Sequence, residues 1–234
     1  MHPGIPPGFF FMTTAVIVAA GRGTRMGPGI DKLFLEVAGL PVVGHTWRRF
    51  DRHPMVDHVC VVVRPGFEPE FEDLGRTLGL TKPHSLAAGG AERQDSVWSG
   101  LVAAPPETRL VAIQDGARPC TSGETITRCL LAAESSGAAV AAQRAVDTIK
   151  EADGHGRVAR HLDRSRLWSV QTPQCFRSAV LREALETARK RGITVTDDTA
   201  ACGLIGAPVD LVECPDPNPK VTVPADLRWV ALWL

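Results

Sequence analysis

The chain has 234 residues, 44% of them apolar and 22% charged, with a formal net charge of zero. That length suits one α/β domain with a sizeable core, and the neutral balance removes nucleic acid and membrane surfaces as default partners. Six cysteines without CxxC or CxxH spacing, and seven histidines without an HExxH cluster, point to neither a zinc site nor a disulfide framework. The cysteines read as buried thiols in a reducing, cytoplasmic compartment.

Residues 1–13 read as a flexible N-terminal extension. Phe9, Phe10 and Phe11 with the apolar run over 15–20 resemble a signal-peptide core, but no basic leader precedes them, and Met12 is a second candidate start. No apolar stretch approaches the ~20 residues of a membrane span. From 14 to 234 the chain reads as one domain. Residues 15–18 and 59–63, apolar on both faces, predict buried strands, with weaker strand signals over 110–113, 138–142 and 209–212. Four rows at helical spacing predict helices packed on that sheet: Val43, Trp47 and Phe50; Val97, Leu101 and Ala104; Ile126, Leu130 and Ala133; Leu181, Leu185 and Ala188. Residues from about 146 to 171 carry strand-like flanks, a turn signal at Asp153-Gly154-His155-Gly156 and many charges, which predict a β-arm leaving the main sheet. Pro224 opens a last helix expected to turn Leu227, Val230, Ala231 and Leu234 inward.

The first strand runs into Ala19-Ala20-Gly21-Arg22-Gly23-Thr24-Arg25-Met26, with Lys32 shortly after. Small residues let the backbone approach a ligand, their N–H groups can nest an anion, and Arg25 and Lys32 offer two cations to a polyphosphate. No Gly-Lys-Ser/Thr follows, so this is not a Walker loop, and Met26 stands where a dinucleotide fingerprint needs its third glycine. Taken alone, such a loop is a weak signal, and both lysine and arginine are also ordinary solvated residues. Arg64-Pro65-Gly66 follows the second buried strand, where a dinucleotide enzyme would carry an acidic ribose ligand.

Further motifs make the pattern specific: Gly89-Gly90-Ala91-Glu92-Arg93-Gln94-Asp95-Ser96-Val97, Asp115-Gly116-Ala117-Arg118-Pro119, Asp147-Thr148, Asp163-Arg164 with Leu167-Trp168, Thr172-Pro173-Gln174, Thr196-Asp197-Asp198 and Lys220-Val221. In this order the chain resembles the 2-C-methyl-D-erythritol 4-phosphate cytidylyltransferase family of the isoprenoid pathway, from about Thr14 to the C-terminus. The resemblance implies a Rossmann-like, three-layer nucleotidyltransferase fold with a mostly parallel sheet, a homodimer clasped by β-arms, and transfer of CMP from CTP to a polyol phosphate. Ala19, Ala20, Gly21, Gly23, Gly90, Ala91, Ser96 and Asp115 would line the CTP. Arg25, Lys32 and Lys220 would act on the reacting phosphates, and Arg118, Thr148, Arg164, Thr172 and Thr196 would hold the acceptor. Mg²⁺ would ride mainly on the CTP phosphates, with Asp115 the protein carboxylate beside it. Three bland readings stay open: Arg118 as a structural partner of Asp115, Arg164 as one of several solvated or interface arginines, and Trp98 and Trp168 as packing residues. A ribitol 5-phosphate cytidylyltransferase shares most of these loops. A dinucleotide-dependent oxidoreductase and a non-catalytic nucleotide-binding protein fit the motifs less well.

Overall fold

A strand that is apolar on both faces must be covered on both, and the computed structural model, which describes residues 11–21 and 31–234, answers that demand with three layers. The chain runs through β1 (Thr13–Val18), a small hairpin of β2 (Glu36–Val37) and β3 (Leu40–Pro41), α1 (Val42–Asp51), β4 (His58–Val63), α2 (Glu68–Leu78), β5 (His84–Ala88) and α3 (Arg93–Ala103). It continues through β6 (Leu110–Asp115), α4 (Gly123–Ser136), β7 (Ala138–Arg144), β8 (Lys150–Ala152), β9 (Val158–His161), β10 (Trp168–Arg177), α5 (Ser178–Lys190), α6 (Asp198–Gly203), β11 (Asp210–Glu213) and α7 (Asp226–Val230).

Among the described residues seven strands form one sheet, ordered β11-β7-β10-β6-β1-β4-β5. All neighbouring pairs are parallel except those of β10, which runs antiparallel to both β6 and β7. Period-2 alternation divides the core. Ala15, Ile17, Val59 and Val61 face α1, α2 and α4, whereas Val16, Cys60 and Val62 face α3, α5 and α6. The four helical rows supply the matching faces, with Trp47, Phe50, Leu101, Leu130 and Leu181 all buried; Ala104 falls just past α3, as its C-cap. All six cysteines are free and buried. No helix among the described residues is long and apolar enough to cross a membrane.

Two sequence expectations change. Thr13 belongs to β1 rather than to an extension, because it is buried, pairs with Leu110 and donates its N–H to Asp57 Oδ2 at 2.8 Å; residues 1–10 lie outside the described residues. The last helix is a single short turn, so it directs only Val230 fully inward, with Leu227 partly packed; Ala231 and Leu234 are exposed.

The close seating of α3 on β1 and β4 depends on Gly100. A Cβ there would overlap Val16 Cγ1 and lie 2.8 Å from Val62 Cγ2, both in the buried core. Overpacking of this kind costs about 3 kcal/mol at its upper end, against ~1 kcal/mol gained from alanine's helix preference. Gly100→Ala is therefore expected to lower the thermal midpoint by about 4–8 °C in a calorimetric scan, and an unchanged midpoint would show that α3 lifts without cost.

Candidate active site

Strand order reverses beside β1, since β4 and β5 continue to one side and β6 returns on the other. Ligand crevices form at such a switch point, outside the carboxyl ends of the strands. Here the ends of β1, β4, β5 and β6 enclose a cleft of about 800 Å³ whose lining includes Ala20, Gly21, Arg64, Gly90, Ala91 and Asp115.

One wall is backbone. Ala19 N–H donates to the Val62 carbonyl at 2.8 Å and Gly89 N–H to the Val63 carbonyl at 2.7 Å, which draws the exits of β1 and β5 against β4. A Cβ on Gly89 would collide with the Ala20 methyl, and one on Gly90 with Asp95 Cβ, so both positions require glycine. Gly90 N–H donates to Ser96 Oγ at 3.2 Å, and that hydroxyl donates onward to the Glu92 carbonyl at 3.3 Å. Ser96 thus shapes the 89–92 loop as well as lining the cleft. A reciprocal capping box between Glu92 and Asp95 starts α3 at this wall.

The other wall is charged. Asp115, at the end of β6, accepts from Lys220 Nζ at 2.7 Å, with Arg93 Nε and Arg118 Nε each 3.7 Å from its carboxylate. Burial alone would raise this carboxyl, but Lys220, Arg93 and Arg118 together hold it below the ordinary carboxylate range. Lys32 reaches the same cleft and donates from Nζ to the Val221 carbonyl at 2.9 Å. Both lysines are registered by one stitch, Val221 N–H to the Ala117 carbonyl at 2.8 Å, which ties the 220–221 segment to the loop after β6.

Behind Asp115 the pairing of β10 with β7 slips between Val170 and Gln174. The slip aims Thr172 at β6, where its Oγ1 accepts from Asp115 N–H at 3.1 Å. Asn218, which no motif singled out, joins these parts. Its Nδ2 donates to the Thr172 carbonyl at 2.8 Å, its Oδ1 accepts from Thr121 Oγ1 at 2.9 Å, and its carbonyl accepts from Arg118 at 2.6 Å.

Arg93 and Asp198 sit within sequence motifs that gave them no role of their own. In the structure Arg93 lines the cleft and donates at 2.8 Å to Asp198, a fully buried carboxylate at the start of α6. Burial pushes the Asp198 carboxyl up, and Arg93 opposes that rise. Gln174 completes the cluster, accepting from Asp198 N–H at 3.1 Å and donating to Asp197 Oδ2 at 3.1 Å.

Of the residues expected from sequence, Ala20, Gly21, Lys32, Gly90, Ala91, Ser96, Asp115 and Lys220 line the cleft. Ala19, Arg118 and Thr172 lie directly behind its walls through the contacts just given. Thr196 is exposed ahead of α6 and does not line the cleft. Thr148 and Arg164 are exposed at the base of the β8–β9 arm, where Arg164 donates to the Val146 carbonyl at 2.6 Å, and neither lines the cleft. Gly23 and Arg25 lie outside the described residues. Trp168 and Trp98 are half-buried under arginines, Arg144 at 4.4 Å from one ring and Arg189 at 4.9 Å from the other.

The donor set fits a nucleotide-borne Mg²⁺ rather than a protein-caged ion. Among the described residues no group of three or more acidic, cysteine or histidine side chains could hold a metal. Asp115 is a carboxylate that lines the cleft and could offer an oxygen to such an ion, and Mg²⁺ commonly takes one or two carboxylates together with substrate phosphates and water.

A Rossmann-like sheet that opposes a backbone-lined wall to a wall of lysine, arginine and one caged aspartate defines a nucleotidyltransferase. Comparison with known proteins narrows the class: a model of 2-C-methyl-D-erythritol 4-phosphate cytidylyltransferase matches residues 13–234, and the chain belongs to that family. The family's member from Pelotomaculum thermopropionicum is 44% identical over 214 residues, 91% of this chain and 90% of that protein. The one from Geobacillus kaustophilus is 42% identical, over 91% of this chain and 92% of its own. Among solved structures, the 2-C-methyl-D-erythritol 4-phosphate cytidylyltransferase of Thermus thermophilus superposes with a TM-score of 0.76 at 35% identity, covering 93% of this chain and 96% of that one. The 4-diphosphocytidyl-2C-methyl-D-erythritol synthase of Anaerococcus prevotii gives 0.84 at 26% identity, covering 95% and 98%.

Removing Arg93 would strand the buried Asp198 charge, which typically costs about 3–5 kcal/mol. Arg93→Ala is expected to lose about that much in urea unfolding, and Arg93→Ala with Asp198→Asn to recover part of it. A carboxyl whose folded pKa lies above its unfolded value binds its proton first in the fold, so stability grows as pH falls through that window. The single variant's deficit is thus expected to be smaller at about pH 5 than at about pH 7.5; a deficit that grows on acidification would contradict this account of Asp198.

Proposed function

We propose that the chain transfers CMP from CTP to 2-C-methyl-D-erythritol 4-phosphate, giving 4-diphosphocytidyl-2-C-methyl-D-erythritol and pyrophosphate, a step of isoprenoid precursor synthesis. The observation that carries this reading is the cleft in which Lys32, Lys220, Arg93 and Asp115 face the glycine wall. An oxygen of the acceptor phosphate attacks the α-phosphorus of CTP, and the bond to the bridging oxygen of pyrophosphate breaks. The nucleophile is already anionic at neutral pH, so no general base is needed. The difficulty is to bring two anions together in line, which positioning and fixed cations address.

In this reading the backbone of Ala20, Gly21, Gly90 and Ala91 holds the cytidine, with Ser96 keeping the loop in shape. Lys32 and Arg25 neutralise the charge that gathers on the triphosphate. Lys220, oriented by Asp115, meets the acceptor phosphate, with Arg118 and Thr172 supporting that wall from behind. Mg²⁺ bound to the CTP phosphates, with Asp115 beside it, would supply further charge neutralisation. The buried free thiols support a reducing, cytoplasmic setting.

Thr148 and Arg164 enter the scheme through assembly. The arm has no core of its own, and Val146 and Val158 on it are 81% and 57% exposed. We infer that it clasps a second copy, so that each arm base completes the acceptor pocket of its partner.

Pyrophosphate release from purified protein with CTP and Mg²⁺ tests the assignment. Release with methylerythritol phosphate and not with ribitol 5-phosphate is expected; the opposite preference would move the enzyme to another pathway. In the same assay Lys32→Ala is expected to lower turnover at least tenfold with the fold retained, and near-normal turnover would remove its role. Deleting 152–160 is expected to shift the light-scattering mass toward the monomer and to weaken use of the acceptor more than of CTP. An unchanged dimer would return the arm to being a surface hairpin.

A further inference from the structure

Away from the catalytic cleft, a second hollow of about 740 Å³ lies between the β2–β3 hairpin, α1 and the start of α4. Arg48, Arg49 and Arg52 line it with His45 and His53, and among the described residues no aspartate or glutamate does. Positions 45, 48, 49 and 52 fall on one face of α1, away from the apolar row of Val43, Trp47 and Phe50. Acidic and basic residues balance at 26 each over the chain, so three arginines facing one hollow that no aspartate or glutamate side chain lines are a local segregation of charge, with Leu234, the last residue, also in the lining. The negative end of α1 accounts for a basic residue in its last turn, not for three directed at the same space.

The fold uses only part of the hydrogen-bonding capacity of Arg48 and Arg49. Among the described residues none of the three arginines forms an ion pair. Arg48 Nε is buried without a hydrogen-bond partner, and the bond from its Nη2 to the Leu78 carbonyl is a long one at 3.4 Å. Arg49 spends Nε on the Pro119 carbonyl at 2.6 Å. His53 adds no charge, because burial pulls its pKa down to about 4 and its Nε2 is engaged by the Gly123 carbonyl at 3.1 Å and Thr127 Oγ1 at 3.0 Å.

We propose that this hollow is a second anion site, separate from the catalytic cleft, for a ligand carrying a diphosphate group. Guanidinium forks match phosphoryl oxygens in bidentate fashion. Arg48 and Arg52 stand one helical turn apart, roughly 6 Å between their Cβ atoms, close enough for both guanidinium groups to converge on one diphosphate. The volume leaves room for a substituent on the diphosphate, so both free and esterified forms share the chemistry.

Calorimetric titration of the full chain with inorganic pyrophosphate tests this without turnover, so the result is independent of the cytidylyltransferase reading. Wild type is expected to bind two equivalents per subunit, one in each hollow. Arg48→Ala with Arg52→Ala is expected to weaken one of them at least about tenfold and leave the other, while Lys220→Ala does the converse. Arg49 is kept in place because it also holds the loop after β6. Circular dichroism checks folding, and the single surface change Arg52→Glu serves if the double variant unfolds. An alkyl diphosphate in a parallel titration separates the sources, since tighter binding than pyrophosphate assigns the esterified form and weaker binding the free ion. One equivalent in wild type, or two that ignore the arginine changes, would overturn the proposal.

Discussion

Asp115 is a carboxylate almost withdrawn from water, and an isolated charge in that position would cost several kcal/mol. Its compensation organises the site. Lys220 arrives from the segment before α7, Arg118 from the loop after β6, and Arg93 from the start of α3, so three separate stretches of chain must converge on one strand end. Thr172 and Asn218 hold the neighbouring backbone in place, one through the slip in β10 and the other through three hydrogen bonds. The cluster is cationic in sum, which is the condition a site needs if it is to gather anionic substrates.

The opposite wall solves a different problem. A backbone surface is open to close approach only where side chains are missing, and Gly89 and Gly90 are glycines because Ala20 and Asp95 already fill the space a Cβ would take. The same pressure recurs at Gly100, where α3 lies against Val16 and Val62. Seating α3 that deeply brings its first residue, Arg93, to the cleft and also over Asp198 on α6, so helix packing and active-site charge are set by one contact surface.

Much of this frame was legible in the chain. Residues 15–18 and 59–63 are apolar at every position, so burial on both faces was the only economical outcome, and β1 and β4 follow. The signal weakened toward the sheet edge. In β11 only Val212 is buried, which leaves little alternation to read and shifts the strand by one residue from its expected start. It failed at the C-terminus, where spacing suggested an amphipathic helix but a five-residue turn can present only Val230 to the core. Arg93, Asp198 and Asn218 went unassigned because a buried ion pair spanning 105 positions, or an amide joining two distant loops, leaves no periodic trace.

By itself, then, the sequence determined the layered α/β class, the glycine loops, the polar arm and the cations that a phosphoryl-transfer site requires, since those follow from local spacing and residue chemistry. Tertiary structure alone decided which of those residues meet. It set Lys220 on Asp115 and Lys32 on Val221, placed Arg118 behind the aspartate and Arg93 between two carboxylates, and left Thr148 and Arg164 outside the cleft. The reason is physical: charge compensation and close packing act through space, over separations along the chain that no local pattern records.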